Sequence, residues 1–261
     1  MSDVAIVPFQ EKVTKVRVLL EKSKAQIARA LPKHLDADRM SRIAMTSIQR
    51  APALLDCTPS SLIGAIIQAS QLGLECDGVL GHAYLIPYRD QCQLIVGYKG
   101  LLKLARNSGD IKTISARVVY AEDEFNYSYG LNERCEHVPS QKEDRGSVAF
   151  VYAVAKLKDG GEQFEVLSIR DVERVRQRSR AGSSGPWVTD FEEMAKKTVL
   201  RRLCKMLPSS ADLVRAVALD ERVDAGISQD FEDVVELATE DSVPKGQLGK
   251  LIAASAVADA K

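Results

Sequence analysis

Residues 147–168 read SVAFVYAVAKLKDGGEQFEVLS, and this stretch determines the expected fold class. Valine and aromatic residues fill its two halves, which the turn Asp159-Gly160-Gly161 separates. Such residues on both sides of a short glycine turn are typical of paired antiparallel strands. The stretch therefore predicts a hairpin with strands over 147–157 and 162–168.

The remaining segments place helices before and after a set of antiparallel strands. HAYLIPYRDQCQLIVGY predicts a second hairpin, and further strands are expected in 111–120 and 124–130. Helical periodicity, capping residues and terminating glycines predict helices at 37–49, 59–73, 101–109, 169–180, 191–207 and 211–222. This order favours the α+β class, with an antiparallel sheet and hairpin core packed against helices.

The same pattern divides the chain into three regions. Residues 1–30 carry a loose helical pattern that ends at Leu31-Pro32, and we interpret them as an N-terminal helical arm for subunit contact. Residues 31–222 are the expected core. Residues 223–261 are acidic and rich in small side chains, which predicts a flexible tail for partner docking.

Composition indicates a soluble cytoplasmic protein. The 261 residues are 45% hydrophobic and 28% charged, and no apolar run approaches the ~20 residues that span a bilayer. No secretory signal pattern is visible at the N-terminus. The five cysteines are scattered, and Cys135-x-His137 lacks further ligands nearby, so neither a disulfide framework nor a metal site is expected.

Charge is balanced overall but unevenly distributed. The chain has 36 basic and 36 acidic residues, yet the segment from Met206 to Lys261 has 11 acidic and five basic residues, a net charge of −6. The first 205 residues therefore carry +6. A basic body with an acidic tail is common in proteins that bind nucleic acid, although a merely solvated tail explains these charges equally well.

Positive charge is densest between Arg170 and Lys205, where two basic helical segments flank a glycine–serine turn. In the second segment apolar residues occupy one face, so Lys197, Arg201 and Lys205 fall on another face as a ladder with a spacing of ~6 Å. Such a ladder suits a sugar–phosphate backbone. The alternative is a solvated face partly paired with nearby acids, which weakens the case for Lys196 and Lys197 most.

The first segment repeats this design. Its apolar residues are expected to face inward, with Arg170, Arg174 and Arg178 stacked outward, and arginine is well suited to bidentate phosphate contacts. Asp190 and Glu193 predict a capping box at the start of the second segment. Two basic helices joined by one short loop make a polyanion the first candidate ligand.

Two turns are candidate ligand contacts. The turn AGSSGPW exposes backbone N–H groups and hydroxyls, and its Trp187 either stacks on a base or, as is commoner for a single tryptophan, packs in the core. In Gly97-Tyr98-Lys99-Gly100, the glycines are expected to let a ligand backbone approach the start of a helix. Each turn alone is a weak signal.

Catalytic signatures are missing from the sequence. There is no G-x-x-x-x-G-K-[ST] loop, no paired acidic motif with a nearby lysine, and no pattern of Ser/His/Asp catalysis. We therefore predict binding without turnover, with no catalytic residues, no cofactor and no metal.

Several long blocks resemble the RecT family of phage-type single-strand annealing proteins. They include IIQASQLGLECDGVLGHAYLIPY, QLIVGYKGLLKLARNSGDI and, above all, AGSSGPWVTDFEEMAKKTVLRRL. The resemblance covers roughly residues 30–222. It implies a Rad52-like fold of β-hairpins and helices, ATP-independent binding of single-stranded DNA, annealing of complementary strands, and assembly into rings or filaments.

The resemblance also implies partners and contact residues. A 5′→3′ exonuclease and a host single-strand-binding protein are the expected partners, besides single-stranded DNA, the annealed duplex and further copies of the chain. Together with the basic segments, it gives these predicted DNA contacts: Tyr98, Lys99, Arg106, Arg170, Arg174, Arg178, Arg180, Trp187, Lys196, Lys197, Arg201, Arg202 and Lys205. The alternatives are a metal-dependent nuclease and a nucleic-acid-binding scaffold that does not anneal.

Overall fold

A computed structural model describes residues 9–33, 35–208 and 210–229. It divides the chain into two compact units, one with residues 9–73 and 85–93, the other with residues 74–84 and 94–229. The three regions expected from sequence follow other boundaries and stay a prediction, and most of the expected tail, from residue 230 onward, lies outside the described residues.

The first unit contains three helices: α1 (Phe9–Ala30), α2 (Ala37–Arg50) and α3 (Pro59–Gln71), with a 3₁₀ turn at Pro52–Asp56. Helix α1 packs against α2 and α3 and buries Val13, Val16, Leu20 and Ile27. The predicted starts of α2 and α3 are confirmed, because Asp36 accepts a hydrogen bond from the Arg39 N–H at 3.1 Å and Thr58 caps the Ser61 N–H.

The predicted second hairpin is formed by β1 (Ala83–Tyr88) and β2 (Gln91–Val96). Arg89 has a φ of 52°, the left-handed conformation that a two-residue hairpin turn requires. The turn is held to the start of α3, because Thr58 N–H donates to the Asp90 carbonyl at 2.6 Å and Cys92 N–H donates to the Ser61 hydroxyl at 2.9 Å.

The second unit is built on a three-stranded antiparallel sheet. Its strands are β3 (Ile111–Tyr120), β6 (Val148–Leu157) and β7 (Glu162–Ser168), with β6 in the centre. Side chains alternate between the two faces of a strand, and one face buries Val151, Ala153, Ala155 and Leu167. Helix α7 (Phe191–Cys204) packs against all three strands.

The opposite face of the sheet carries an aromatic ribbon. Strands β4 (Glu124–Ser128) and β5 (Arg134–Val138) pair antiparallel, and the Phe125 ring lies 5.4 Å from the Tyr152 ring and 5.6 Å from the Phe150 ring. Strand β5 was not predicted, because RCEHV is mostly polar and only alternate residues contact the protein.

Four more helices complete the second unit: α4 (Tyr98–Asn107), α5 (Ile169–Arg178), the short α6 (Pro186–Thr189) and α8 (Ala211–Asp224). After α8, the Gln229 side chain is buried and bonds to the backbone N–H and carbonyl of Leu94 at 2.7 and 2.9 Å. The α+β class with an antiparallel hairpin core is therefore confirmed. None of the described helices combines the length and the apolar character needed to cross a membrane.

Candidate nucleic-acid interface

All of the predicted DNA contacts lie in the second unit, but their exposure differs. Two are half-buried, Tyr98 and Lys196, and three are buried, Trp187, Lys197 and Arg201. The others are exposed: Lys99, Arg106, Arg170, Arg174, Arg178, Arg180, Arg202 and Lys205. The two basic helices therefore differ more than their similar sequences suggest.

The outward-facing ladder predicted on α7 is wrong for two of its three members. Lys197 and Arg201 are only 8% and 9% exposed, and both donate to Asp220 of α8, at 2.6 and 2.8 Å. Arg201 also donates to Asp224. Burial opposes the charge of Arg201, but the attraction of the two carboxylates raises the pKa of its guanidinium, so the group stays charged.

The exposed cations at the end of α7 also have acidic partners. Lys205 contacts Glu221, and Arg202 Nε lies 2.9 Å from a carboxylate oxygen of Glu165. The Lys205–Glu221 pair is exposed, and exposed pairs contribute about 0–1 kcal/mol, so a phosphate can replace Glu221 at little cost, whereas the Glu165 side chain is only 17% exposed. Both of these cations are exposed, unlike Lys197 and Arg201.

Helix α5 has the orientation predicted from its sequence. Val172 is buried, whereas Arg170, Arg174 and Arg178 are exposed. Arg174 contacts Asp171 at 3.3 Å, and within the described residues neither Arg170 nor Arg178 has an ion pair. The helix starts with a capping box between Ser168 and Asp171, so its arginine face is rigidly presented.

The turn between the two helices is held by Arg176 rather than left open. Arg176 Nε donates to the Gly182 carbonyl at 2.8 Å, and a Cβ on Gly182 would overlap the Arg176 carbonyl oxygen. The capping box predicted at Asp190 and Glu193 is wrong, because Asp190 makes no side-chain cap and Glu193 accepts from Lys196 instead. The turn is thus packed against the end of α5.

Trp187 packs in the interior of the protein. It is 2% exposed, and its ring centroid lies 6.1 Å from that of Phe191. The packing alternative weighed for this residue is therefore the observed one. Its buried Nε1–H has no hydrogen-bond acceptor among the described residues.

The glycines of the Gly97-Tyr98-Lys99-Gly100 turn serve packing rather than ligand approach. A Cβ on Gly97 would overlap the carbonyl oxygen of Gly81, and one on Gly100 would overlap that of His82. The two glycines therefore let the start of α4 lie against the backbone just before β1. Between them, Tyr98 and Lys99 project from the turn, and Lys99 is exposed.

This turn forms one wall of a cleft of about 600 Å³, which we call the Tyr98 cleft. Tyr84, Tyr98 and Lys99 lie on that wall. The other wall is formed by Pro186, Asp190 and the first turns of α7, including Met194 and Lys197. The Nζ of Lys196 lies 5.9 Å from the centre of the Tyr98 ring. The structure thus brings the two turns singled out from sequence to one cavity.

Comparison with known proteins identifies the family of this chain. A RecT family profile matches residues 38–235. The chain belongs to the RecT family. It is 52% identical over 207 residues to Protein RecT of Escherichia coli K12, covering 76% of this chain and 77% of that protein. An uncharacterized protein of Bacillus subtilis 168, YqaK, is 28% identical over 199 residues, 74% and 69% of the two chains.

Family membership identifies the chain as a DNA-binding protein of recombination and strand annealing. Charge in the Tyr98 cleft limits where a DNA strand can lie, because Asp190 and Glu193 line the cleft and would repel phosphates. The cations that line the Tyr98 cleft are Lys99 and Lys197. Lys196 lies beside the Tyr98 ring. This mixture of acids, cations and aromatic side chains suits a base inside the cleft better than a phosphate.

Sequence reasoning missed two parts of the Tyr98 cleft. Tyr84 was predicted only as a strand residue, and burial, with a smaller effect of Asp190, raises the pKa of its hydroxyl, which stays a donor. The loop Gly78–Gly81 presents Val79 at the cleft with 64% exposure. Asp77 holds this loop by accepting from the Val79 N–H at 2.9 Å. The sequence signal for this loop was the pair Asp77-Gly78, since Asp-Gly is typical of turns.

His137, which with Cys135 is a possible metal ligand by sequence, instead makes contacts within the protein. His137 Nε2 lies 3.0 Å from Asp123 and its Nδ1 lies 3.3 Å from the Tyr152 hydroxyl. Among the residues that the structure describes, no group of three or more His, Cys, Asp or Glu side chains is arranged to hold a metal ion.

Proposed function

We propose that this RecT-family chain binds single-stranded DNA and anneals complementary strands without ATP, as an oligomeric ring or filament. The observation that supports it best is the arginine face of α5. Arg170 and Arg178 are exposed and have no acidic partner among the described residues, on a helix fixed by a capping box. Two arginines without acidic partners on a rigid helix favour a polyanion as ligand.

The contacts divide into two groups in this proposal. The exposed cations, with Tyr98 and the half-buried Lys196, contact DNA: Lys99, Arg106, Arg170, Arg174, Arg178, Arg180, Arg202 and Lys205. Lys197, Arg201 and Trp187 act from beneath, because their buried contacts hold α7 and α6 in place. The second group stabilises the surface on which the first lies.

Weak contacts of this kind gain strength through repetition. Each exposed cation releases counterions when it meets a phosphate, which makes the affinity depend strongly on salt. A single copy of the protein offers a short row of such contacts. An oligomer aligns many rows along one strand, so the second and later contacts are effectively intramolecular. A strand held by its phosphates leaves its bases accessible to a complementary strand.

Other parts of the proposal concern partners and place of action. A 5′→3′ exonuclease would supply the single strands in the cytoplasm, and a host single-strand-binding protein would occupy them beforehand. Residues 1–30 would contribute to subunit contact and the acidic residues 223–261 to partner docking. Binding without catalytic turnover is part of the same proposal.

A strand-annealing assay without ATP tests this function directly. Two complementary labelled oligonucleotides should pair faster in the presence of the protein, and both labels should stay full-length. Shortened strands that appear only with magnesium would favour a nuclease. Binding without faster pairing would favour a scaffold. Electron microscopy of the same samples reports whether rings or filaments form.

A further inference from the structure

One tyrosine of the Tyr98 cleft is held in place by glycines. The side chain of Tyr84 lies against Gly78, Gly81 and Gly97. A Cβ on Gly97 would lie 3.1 Å from the Tyr84 ring, and one on Gly81 would lie 3.3 Å from its hydroxyl oxygen. The ring is therefore closely packed on the glycines, and yet it is 38% exposed and lines the cleft. A fixed aromatic ring offers a base a stacking surface at little cost in side-chain entropy.

The facing wall combines an apolar side chain with two carboxylates. Met194 is half-buried there, and Asp190 and Glu193 line the same wall. Asp190 Oδ2 accepts from the Thr189 hydroxyl at 2.5 Å. Glu193 Oε1 accepts from Lys196. Within the described residues, the second oxygen of each carboxylate accepts no hydrogen bond, so two acceptors are available to a ligand.

The cations that line the cleft do not use these two oxygens. Lys197 is buried, and its Nζ lies 2.6 Å from Asp220. Lys99 is exposed and has no ion pair within the part of the chain that the structure describes. A carboxylate only accepts hydrogen bonds, so an N–H group of a ligand would satisfy it, whereas a carbonyl oxygen would be repelled and left unpaired. The cleft therefore favours a ligand that donates.

The bases of DNA differ in what they can donate. Adenine, cytosine and guanine each carry an exocyclic amino group, whereas thymine has a single ring N–H between two carbonyl oxygens. Proteins commonly read the unstacked bases of single strands by hydrogen bonds to this edge while the base faces stack on aromatic rings. The Tyr98 cleft has an aromatic ring for the face of a base and carboxylates for an amino group.

We propose that the Tyr98 cleft takes one unstacked base of the bound strand and selects bases with an exocyclic amino group over thymine. The base lies against Tyr84, and its amino group donates to Asp190 and Glu193. The same carboxylates keep phosphates outside the cleft, and the other bases stay accessible for pairing. The inference rests on the proposed function in requiring a bound single strand, and it names the kind of base that this site prefers.

Two strands that differ at one edge of the base test the selection. Cytosine and uracil have the same ring size, but cytosine has an amino group where uracil has a carbonyl oxygen. Oligo(dC) and oligo(dU) of equal length are therefore a matched pair, and neutral pH keeps oligo(dC) single-stranded. In competition with a labelled strand of mixed sequence, oligo(dC) should bind at least about fivefold more tightly than oligo(dU).

Two double variants separate the carboxylates of the cleft from net charge. In Asp190→Asn with Glu193→Gln the preference for oligo(dC) should disappear, because an amide both donates and accepts. Neither strand should bind more weakly than oligo(dU) binds to the wild type, since repulsion of phosphates is removed. The matched control is Glu136→Gln with Asp212→Asn, two exposed acids of the same unit outside the cleft. It removes the same charge and should keep the wild-type preference.

Photo-cross-linking of the wild-type complex locates the base. A strand of oligo(dU) with a single 5-iodocytosine should become joined to a peptide that contains Tyr84 or Tyr98, which mass spectrometry identifies. Equal affinities of the wild type for oligo(dC) and oligo(dU), a preference that survives in the cleft variant, or cross-links confined to other peptides would each overturn the inference while leaving DNA binding and annealing intact. A wild type that binds none of the strands would instead defeat the proposed function.

Discussion

Helices α5 and α7 have similar patterns of charge, but the cations of α5 face water and two of those of α7 are buried. Both carry cations at intervals of four residues opposite an apolar face, and both were expected to present a basic ladder. On α5 the ladder Arg170, Arg174 and Arg178 is exposed, whereas on α7 Lys197 and Arg201 are buried against α8. Helical spacing determines which residues share a face, but a distant segment determines whether that face meets water.

The largest expected effect comes from the buried side of this comparison. Asp220→Asn should lower the free energy of unfolding by about 3–5 kcal/mol, because breaking a buried ion pair leaves charge without compensation. Lys197 and Arg201 both lose a partner in this variant. Chemical denaturation monitored by circular dichroism measures the change.

The matched control is the next residue of the same helix. Glu221→Gln removes the exposed partner of Lys205 and should change the stability by less than about 1 kcal/mol. Similar small losses in both variants would mean that the α7 ladder behaves like an exposed one, and the contrast with α5 would disappear.

The exposed side of the comparison is tested by salt dependence. Arg170→Ala with Arg178→Ala should weaken binding to single-stranded DNA and flatten the slope of log affinity against log salt by ~1.4, about 0.7 for each phosphate contact. The charge-matched control is Lys112→Ala with Lys158→Ala, two exposed lysines of the same unit. Equal slopes in the two double variants would show that only net charge matters.

Acid pH tests a third acid–arginine contact, at the base of the ribbon. The Arg145 guanidinium, with backbone N–H groups and His137, holds the pKa of Asp123 far below its usual range. Because the pKa of Asp123 is lower in the folded state, its contact with Arg145 stabilises the fold above pH ~4, the ordinary carboxyl range. This stabilisation is lost progressively as the pH falls below that range. The melting temperature should fall on acidification more steeply than in Asp123→Asn. Parallel curves would contradict this.

The smallest expected effect separates two members of one ladder. Lys205→Ala should change the stability by less than about 1 kcal/mol and flatten the salt slope by at most ~0.7. Arg201→Ala, one turn earlier, should instead reduce stability by several kcal/mol because it leaves Asp220 and Asp224 with less compensation. Thermal unfolding and DNA titration of both variants check the difference.

The elements that local chemistry specifies could be predicted from sequence. Asp36, Thr58 and the turn at Asp159–Gly161 act within a few residues, and the structure has the helix starts and the hairpin where these residues predict them. The position of α7 and its inward apolar face follow from periodicity in the same way. The α+β class needed nothing more than the order of these elements.

What could not be predicted depends on residues that are distant in sequence. Asp220 lies 23 residues after Lys197, so nothing near the ladder indicates that its charge is already used. Gly97 and Gly100 have the sequence of a ligand-approach turn, but the backbone at residues 81–82 occupies that space. The polar strand β5 is held by aromatic contacts of its partner β4 and by His137.

The two glycines of the Tyr98 turn also limit how the Tyr98 cleft can move. Because the start of α4 and residues 81–82 touch backbone to backbone, we expect them to move together. The facing wall begins at Gly185, whose φ of 56° gives it a conformation that other residues rarely adopt, followed by the single turn of α6. We therefore expect the cleft to open by rotation of the facing wall about Gly185, while the wall that carries Tyr84 and Tyr98 stays in place.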